Sequence, residues 1–261
     1  MNSSNDLHGM TVLLTRPARQ SEGIVAAIER SGGKVCQLPL LEIEPLNDPE
    51  ELEIVKQKIL NLDRYSKAIF ISTNAAELGL QWIDRYWPQL PADLEAFAVG
   101  PGTAAVLRRM SWPVHCSERG VTSEDLLALP PLRQVQGERI ALFRGKGGRE
   151  LLAETLRERG AEVDYLELYH RRTPDYTNDA ADELISRDPV EAIVITSAQI
   201  LDVLVHLFSD NAEVKTLPVI VPSQRVLEQA RNAGFTRVFN AGGANDDAIM
   251  AALRQLQNNK S

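Results

Sequence analysis

The amino-acid sequence predicts an α/β protein with two similar domains, each a parallel sheet flanked by helices. Short runs rich in Val and Ile alternate with segments of helical period, one part of the chain repeats another at a constant spacing, and two extended segments stand at equivalent places in the repeats. With 261 residues, 44% of them hydrophobic, the chain is long enough to form two small cores.

Six short apolar runs have the composition and length of buried parallel strands. They are residues 11–15, 68–72, 96–99, 139–143, 192–196 and 218–221. Each is followed by a polar or glycine-containing turn and then by a segment of helical period. The predicted helices are residues 20–30, 75–85, 103–110, 150–159, 199–208 and 225–233, with stop signals at glycines such as Gly32 and Gly160.

The repeat is clearest between the first strand region and the fourth. Arg16 and Arg144, Gly32 and Gly160, and other matched pairs along some 25 positions are all separated by 128 residues. A looser match relates the second strand to the fifth at a separation of 124 residues. A single register held through an arginine and a glycine indicates a duplication rather than the general likeness of α/β units.

Two extended, alternating segments, residues 37–46 and 165–174, occupy equivalent places in the repeats. Pro45 and Pro174 close them. They are either strands or crossings between domains. If both cross, they form a double connector that lets the domains hinge about a cleft, and a simple tandem arrangement is the alternative that the sequence leaves open.

Composition excludes several classes of function. The 28 Lys and Arg residues against 36 Asp and Glu give a net charge of −8, which excludes nucleic acid and anionic membrane as main partners. The first residues lack a secretory signal and no apolar run approaches the roughly 18 residues of a membrane span, so we expect a cytoplasmic protein. Neither metal nor cofactor is expected, because the histidines are scattered and the dinucleotide and nucleotide motifs are absent.

The turns after the predicted strands are where a ligand would bind, since ligands of parallel sheets bind beyond the carboxyl ends of the strands. These turns carry hydroxyls, glycines and arginines, a set that suits a polyanionic ligand and offers few catalytic groups. The candidates are Arg16, Ser72, Thr73, Gly100, Gly102, Thr103, Arg144, Gly148, Arg149, Thr196, Ser197 and Ser223.

Each candidate also has a structural interpretation. Ser and Thr at these positions cap helices in any α/β protein, and Arg16 is explained equally well by a surface ion pair. The turn at residues 144–150, with three glycines and three cations, exceeds what a cap needs and favours an anion contact. Tyr169, in the second extended segment, could donate a proton or simply pack at a domain joint.

The segments LLTRP, FISTNAAELGL, AVGPGTAAVL, TSEDLLAL, RGKGGRELLAETLRERGAEVDYLELYHRRTP and IVITSAQIL together resemble the uroporphyrinogen-III synthase family. The resemblance runs nearly end to end and lies in the order and spacing of the segments. It implies two α/β domains joined by a two-stranded connector, with the active site in the cleft between them. Carried onto this chain, the domains are residues 1–37 plus 175–261 and residues 46–166, and the connector is residues 38–45 and 167–174.

The resemblance also implies a reaction. The family closes the linear tetrapyrrole hydroxymethylbilane with loss of water and inversion of ring D, giving uroporphyrinogen III for haem, sirohaem and cobalamin, without a cofactor. Tyr169 is then the catalytic acid, Thr103 contacts substrate, and the hydroxyl-bearing turns line the cleft. The family often has Gly-Pro-Thr-Thr where this chain has Val-Pro-Ser-Gln, which weakens the case for Ser223.

A different class of protein shares some of these features. A non-catalytic two-domain binding protein for a small polyanionic ligand would also have duplicated α/β lobes and a double crossing, although the missing export signal counts against it. For either class we expect a monomer, and for the enzyme a transient contact with the preceding enzyme of the pathway.

Overall fold

A computed structural model describes residues 6–117, 122–148, 150–187 and 189–259. The chain forms two compact units. Unit 1 comprises Met1–Glu42 and Arg172–Ser261, and unit 2 comprises Ile43–Arg171.

The helices and strands alternate along most of the chain. In order they are β1 (Thr11–Leu14), α1 (Glu22–Arg30), β2 (Lys34–Gln37), β3 (Glu42–Pro45), α2 (Pro49–Leu60), β4 (Lys67–Phe70), α3 (Thr73–Tyr86), β5 (Glu95–Ala98), α4 (Pro101–Arg108), β6 (Val114–Cys116), α5 (Ser123–Leu127), β7 (Arg139–Arg144), α6 (Leu151–Glu158), β8 (Glu162–Glu167), β9 (Tyr169–Arg172), α7 (Asn178–Arg187), β10 (Ala192–Val194), α8 (Ala198–Leu207), β11 (Val219–Val221), α9 (Gln224–Asn232), β12 (Val238–Asn240) and α10 (Asp246–Asn258).

Unit 1 contains a five-stranded parallel sheet in the order β12-β11-β10-β1-β2. The strands β1, β10 and β11 are short and buried on both faces, which explains their continuous Val and Ile runs. Helices α1 and α10 pack against each other, as do α8 and α9. Ile24 and Ile28 of α1 and Leu253 of α10 close a core over Val12 and Leu14 of β1.

Unit 2 repeats this sheet, with the order β6-β5-β4-β7-β8 and every pair parallel. Two apolar clusters form its core. One contains Phe70 and Phe143, whose rings stack 4.3 Å apart, and the other contains Leu142 and Leu156. The predicted fold class, two parallel sheets flanked by helices, is therefore confirmed.

The strand registers reproduce the sequence repeat. Thr11 of β1 pairs with Lys34 of β2, and 128 residues later Arg139 of β7 pairs with Glu162 of β8. In each unit, an interior strand (β1 or β7) is followed by a helix and then by the edge strand that pairs with it (β2 or β8). The two units nevertheless assemble these elements from different parts of the chain, because β1 to β2 begin unit 1 and β7 to β8 end unit 2.

The two extended segments lie where the chain passes between the units. β3 and β9 pair as a separate two-stranded sheet, and the boundaries between the units lie within these strands. The first segment is only partly regular, since residues 38–41 lie in neither β2 nor β3.

The six strands and six helices that the sequence predicts are all present, with ends that differ by a few residues. Helix α2 was not among the predicted helices, although its start has a recognisable signal. Asp48 accepts hydrogen bonds from the backbone N–H groups of Glu50 and Glu51, and Pro49 occupies the first helical position. Within the described ranges, no helix has both the length and the apolar character needed to span a bilayer.

Candidate functional site

The candidate residues divide between the two units. Unit 1 holds Arg16, Thr196, Ser197 and Ser223, and unit 2 holds Ser72, Thr73, Gly100, Gly102, Thr103, Arg144, Gly148 and Tyr169. All except Tyr169 lie at or just beyond the carboxyl ends of strands. Arg149 lies outside the described residues.

Tyr169 is the first residue of β9 and is 1% exposed. Its Oη lies 2.9 Å from the Oγ of Ser72, and either hydroxyl can be the donor. The Ser72 Oγ also accepts a hydrogen bond from the Ala75 N–H at 3.1 Å, so this serine caps α3 while it contacts the tyrosine. A helix cap and a candidate proton donor therefore share one hydroxyl.

The backbone of the glycine-rich turn holds Tyr169 from the other side. A Cβ at Gly145 would lie 2.4 Å from the ring atom Cε2, so only glycine fits beneath the ring. The Lys146 N–H donates to the Tyr169 carbonyl at 2.7 Å, and the Arg171 guanidinium lies 5.8 Å from the ring centroid. This role of Gly145 was not predicted from the sequence, although the three glycines of the turn were a signal that the backbone is closely approached there.

The cations of the described part of this turn have partners within unit 2. Arg144 is 1% exposed; its Nη1 donates to Glu150 at 2.9 Å and its Nε to the Gly145 carbonyl at 3.2 Å. Its Nη2 donates to the Gly147 carbonyl, and the guanidinium lies 4.8 Å from the Tyr165 ring centroid. These contacts occupy every nitrogen of the Arg144 guanidinium.

The carboxylates that pair with these cations are fixed in turn. The Tyr165 hydroxyl donates to Glu150, and this bond together with Arg144 holds the pKa of the Glu150 carboxyl below its usual value. Lys146 pairs with Glu51, whose other oxygen lies 3.5 Å from His170 Nε2. Both described cations of the turn are therefore paired with carboxylates of unit 2.

The start of α4 presents backbone rather than side chains. Gly100 is its N-cap with a φ of 86°, a conformation that side chains rarely adopt, and it gives the helix no side-chain cap. A Cβ at Gly102 would approach only Thr73 Cγ2, at 3.6 Å, and Thr103 is buried. Pro101 has no N–H, so the N–H groups at the start of α4 that an anion could contact are those of Gly102 and Thr103, which no side chain of the described residues caps.

In unit 1, the capping interpretation is correct for two serines. Ser197 accepts from the Ile200 N–H and Ser223 from the Val226 N–H, at 3.2 and 3.4 Å. The first matches Ser72 in role, 125 residues later. The strand pairing gives the same separation, since Lys67 pairs with Ile140 and Ala192 pairs with Val12, the repeat partner of Ile140. The expected 124-residue match is therefore one residue out of register. Thr196 is the half-buried residue before the Ser197 cap.

Arg16 follows β1 and forms an ion pair, as one interpretation of the sequence expected, with the arginine buried and its partner Asp246 40% exposed. The Arg16 side chain is 9% exposed, and its Nη2 donates to Asp246 Oδ1 at 2.8 Å. The buried Nε has no partner among the described residues. Across the described ranges, no group of three or more His, Cys, Asp or Glu residues could hold a metal ion.

Known proteins resemble this chain over nearly its whole length. The family model of uroporphyrinogen-III synthase HemD matches residues 22–251. The chain is 32% identical over 255 residues to the uroporphyrinogen-III synthase of Escherichia coli, and the match covers 94% of this chain and 100% of that protein. The same enzyme from Proteus mirabilis is 36% identical over 174 residues, covering 65% of this chain and 84% of the relative.

Two crystal structures show a similar fold. A mutant uroporphyrinogen III synthase from the extremely thermophilic bacterium Thermus thermophilus gives a TM-score of 0.66 at 20% identity, covering 96% of this chain and 100% of the other. The uroporphyrinogen-III synthetase of Helicobacter pylori gives 0.59 at 16% identity, covering 95% and 99%.

Proposed function

Because the chain belongs to the uroporphyrinogen-III synthase family, we propose that Tyr169 is the acid that protonates the departing hydroxyl of hydroxymethylbilane. The family and its relatives make the chain an enzyme of tetrapyrrole biosynthesis, the lyase that forms uroporphyrinogen III. The remaining question is which of its residues carry the reaction.

The contact between Tyr169 and Ser72 carries the proposal. Carbon–oxygen cleavage needs a proton on the hydroxyl that leaves as water, and Tyr169 Oη supplies it as a general acid. The Ser72 hydroxyl, 2.9 Å away, donates to the tyrosine oxygen as negative charge develops on it. The Arg171 cation near the ring acts in the same direction. Cyclisation follows from holding the substrate in the geometry of attack, and we propose that no cofactor takes part.

The hydroxyls, backbone amides and Arg16 bind the substrate carboxylates in this proposal. The uncapped start of α4, with Gly100, Gly102 and Thr103, receives one carboxylate, and Thr73 lies beside it. Thr196, Ser197 and Ser223 in unit 1 contact others while the two serines cap their helices. An acidic chain of net charge −8 can bind a polyanion in this way because the attraction is confined to helix N-termini and single cations.

Arg144 and Gly148 have a different role in this proposal. A Cβ at Gly148, where φ is 102°, would lie 3.3 Å from Arg144 Nη2, so the two residues shape the turn together. Since Arg144 is saturated by partners within unit 2, it holds this turn under Tyr169 rather than binding substrate. Arg149, the third cation of the turn, stays a predicted substrate contact, and Arg149→Ala is expected to raise KM.

We further propose that the enzyme acts as a monomer in the cytoplasm and receives its substrate by transient contact with the enzyme that makes it. The reactivity of hydroxymethylbilane, which cyclises unaided to the wrong isomer, supports such a contact. Light scattering on the purified chain, alone and mixed with that enzyme, tests the monomer and the contact.

The deciding experiment supplies freshly generated hydroxymethylbilane and separates the type III from the type I isomer after oxidation. We expect type III from the wild-type chain and strongly reduced type III from Tyr169→Phe, with type I taking its place. Type I alone from the wild-type chain would instead indicate the non-catalytic binding protein. Unchanged turnover in Tyr169→Phe would reduce the tyrosine to a packing role.

A further inference from the structure

The ion pair of Arg16 leaves half of a carboxylate site unused. One edge of a guanidinium, formed by Nε and Nη2, matches the two oxygens of a carboxylate with two parallel hydrogen bonds. Asp246 uses only Nη2, at 2.8 Å, and the Nε beside it is buried without a partner in the described part of the chain. A buried donor left unpaired is costly, so the arrangement is short of one acceptor.

The second oxygen of Asp246 lies against the first turn of α1. A Cβ at Gly23, in the first turn of α1, would lie 2.5 Å from Asp246 Oδ2. Ser21 stands at the N-cap of this nine-residue helix, but its hydroxyl donates to the Pro17 carbonyl at 3.2 Å and does not cap it. Asp246 therefore occupies a place that combines an uncapped helix N-terminus with a buried arginine, two features that attract an anion.

Asp246 is held less firmly than Arg16. Its side chain is 40% exposed, against 9% for the arginine, and it reaches this place from the first turn of α10, 230 residues along the chain. An ion pair with one exposed partner contributes little stability, so an external carboxylate that engages both Nε and Nη2 can replace it.

We propose that Asp246 is an internal stand-in for a substrate carboxylate, and that an acetate or propionate side chain of hydroxymethylbilane displaces it from Arg16 on binding. The proposal rests on the proposed function for the identity of the ligand. It assigns Asp246 a positioning role, since it keeps Arg16 neutralised and in place until the substrate arrives. Displacement supplies the acceptor that Arg16 Nε lacks and frees the Asp246 carboxylate to solvent.

The test compares four single variants and one double variant by calorimetric binding of benzenehexacarboxylate, a polycarboxylate probe that undergoes no tetrapyrrole chemistry, and by KM for hydroxymethylbilane. Asp246→Asn removes the internal competitor. Gly23→Ala pushes the Asp246 side chain off its place without changing any charge. Asp247→Asn, in the same helical turn, is the matched control for net charge. Arg16→Gln removes the site itself.

We expect Asp246→Asn and Gly23→Ala to bind the probe about two- to fivefold more tightly than wild type, the range set by competition with a half-exposed ion pair. KM should fall by a similar factor with kcat unchanged, and Arg16→Gln combined with Asp246→Asn should lose the gain. Asp247→Asn should stay close to wild type.

Equal effects of Asp246→Asn and Asp247→Asn would overturn the proposal in favour of a general charge effect. Weaker binding in both Asp246→Asn and Gly23→Ala would show that Asp246 only supports the fold. Gly23→Ala retains every charge and keeps the test valid if Asp246→Asn fails to fold. Because probe binding needs no turnover, absence of the type III isomer would contradict the proposed function without deciding the role of Asp246.

Discussion

The turn after β1 and the turn after β7 occupy equivalent places in the repeat, but their arginines differ in how many of their donor nitrogens are hydrogen bonded. Each follows a central strand with an arginine, Arg16 in unit 1 and Arg144 in unit 2. Arg144 is saturated by Glu150, two carbonyls and an aromatic ring. Arg16 has one half-exposed partner and an unpaired Nε within the described residues. All the donor nitrogens of Arg144 are therefore occupied, whereas Arg16 keeps one buried donor that we propose is used by substrate.

The difference follows from a few substitutions between the repeats. Unit 1 has Glu22 where unit 2 has Glu150, but it has Gln37 where unit 2 has Tyr165, the residue that fixes Glu150 over Arg144. Without that aromatic anchor, Arg16 pairs with Asp246 of α10 instead. A duplicated fold has thus kept the cation and changed what surrounds it.

The proposed acid, Tyr169 of unit 2, has no counterpart in unit 1. Leu41 stands in unit 1 where Tyr169 stands in unit 2, and Pro17 stands where Gly145 does. At these two positions unit 1 therefore has neither the tyrosine hydroxyl nor the glycine that leaves room for the tyrosine ring. We infer a division of roles in which unit 2 supplies the acid and unit 1 supplies a cation for the substrate.

The largest effect that tests this division is expected from Tyr169→Phe. Loss of a general acid should lower kcat about 100-fold or more, with KM little changed. The matched control is Tyr65→Phe, which also removes a hydrogen bond in unit 2, from Tyr65 Oη to Asp164 at 2.9 Å, but before β4 at the opposite end of the strands. A similar kcat loss in both variants would attribute the effect to the fold rather than to the acid.

Arg144→Gln should affect stability more than Arg16→Gln does. Removing Arg144 leaves two carbonyls and Glu150 Oε1 without their donor, and we expect the free energy of unfolding to fall by about 2–3 kcal/mol. Arg16→Gln removes one ion pair with an exposed partner and should cost about 1 kcal/mol or less. Urea denaturation of both variants measures the difference. Equal losses would contradict the conclusion that Arg144 is held by more contacts than Arg16.

Ser72→Ala and Ser197→Ala compare the two helix caps. Both lose a cap, which should lower the free energy of unfolding by about 1 kcal/mol in each case. Only Ser72→Ala also loses the partner of Tyr169, so it alone should lower kcat, by about tenfold for one lost hydrogen bond. Steady-state kinetics and thermal denaturation separate the effects, and a kcat loss of equal size in Ser197→Ala would refute the special role of Ser72.

The smallest expected effect concerns acid stability. Because the hydrogen bond from Tyr165 and the charge of Arg144 lower the pKa of Glu150 in the folded state, Glu150 stabilises the fold above its unfolded pKa of about 4.5. That contribution is lost as pH falls through the lowered folded value. Tyr165→Phe should therefore reduce the loss of stability as the pH falls below about 4.5. Stability curves against pH that coincide for wild type and variant would refute this assignment.

The sequence predicted the sheets and the duplication because buried parallel strands and their register leave a direct pattern in the residues. The 128-residue spacing that matched Arg16 to Arg144 reappears in the strand pairing. For Tyr169 the residues alone left a proton donor and a packing side chain as alternatives, and only the resemblance to the family favoured the acid.

The partners of these residues could not be predicted. Asp246 lies 230 residues from Arg16, and Ser72 lies 97 residues from Tyr169. An arginine in a glycine-rich turn has the same sequence pattern whether or not its donor nitrogens have partners in the protein. Only the fold shows that those of Arg144 are all occupied. Gly145 likewise could not be separated from its neighbouring glycines before the Tyr169 ring was placed over it.

The division of roles is tested most directly by kcat and KM for hydroxymethylbilane measured together in Arg16→Gln and Tyr169→Phe. We predict that Arg16→Gln raises KM with kcat nearly unchanged, whereas Tyr169→Phe lowers kcat with KM nearly unchanged. A fall in kcat for Arg16→Gln matching that of Tyr169→Phe, or a rise in KM without loss of kcat for Tyr169→Phe, would contradict this division.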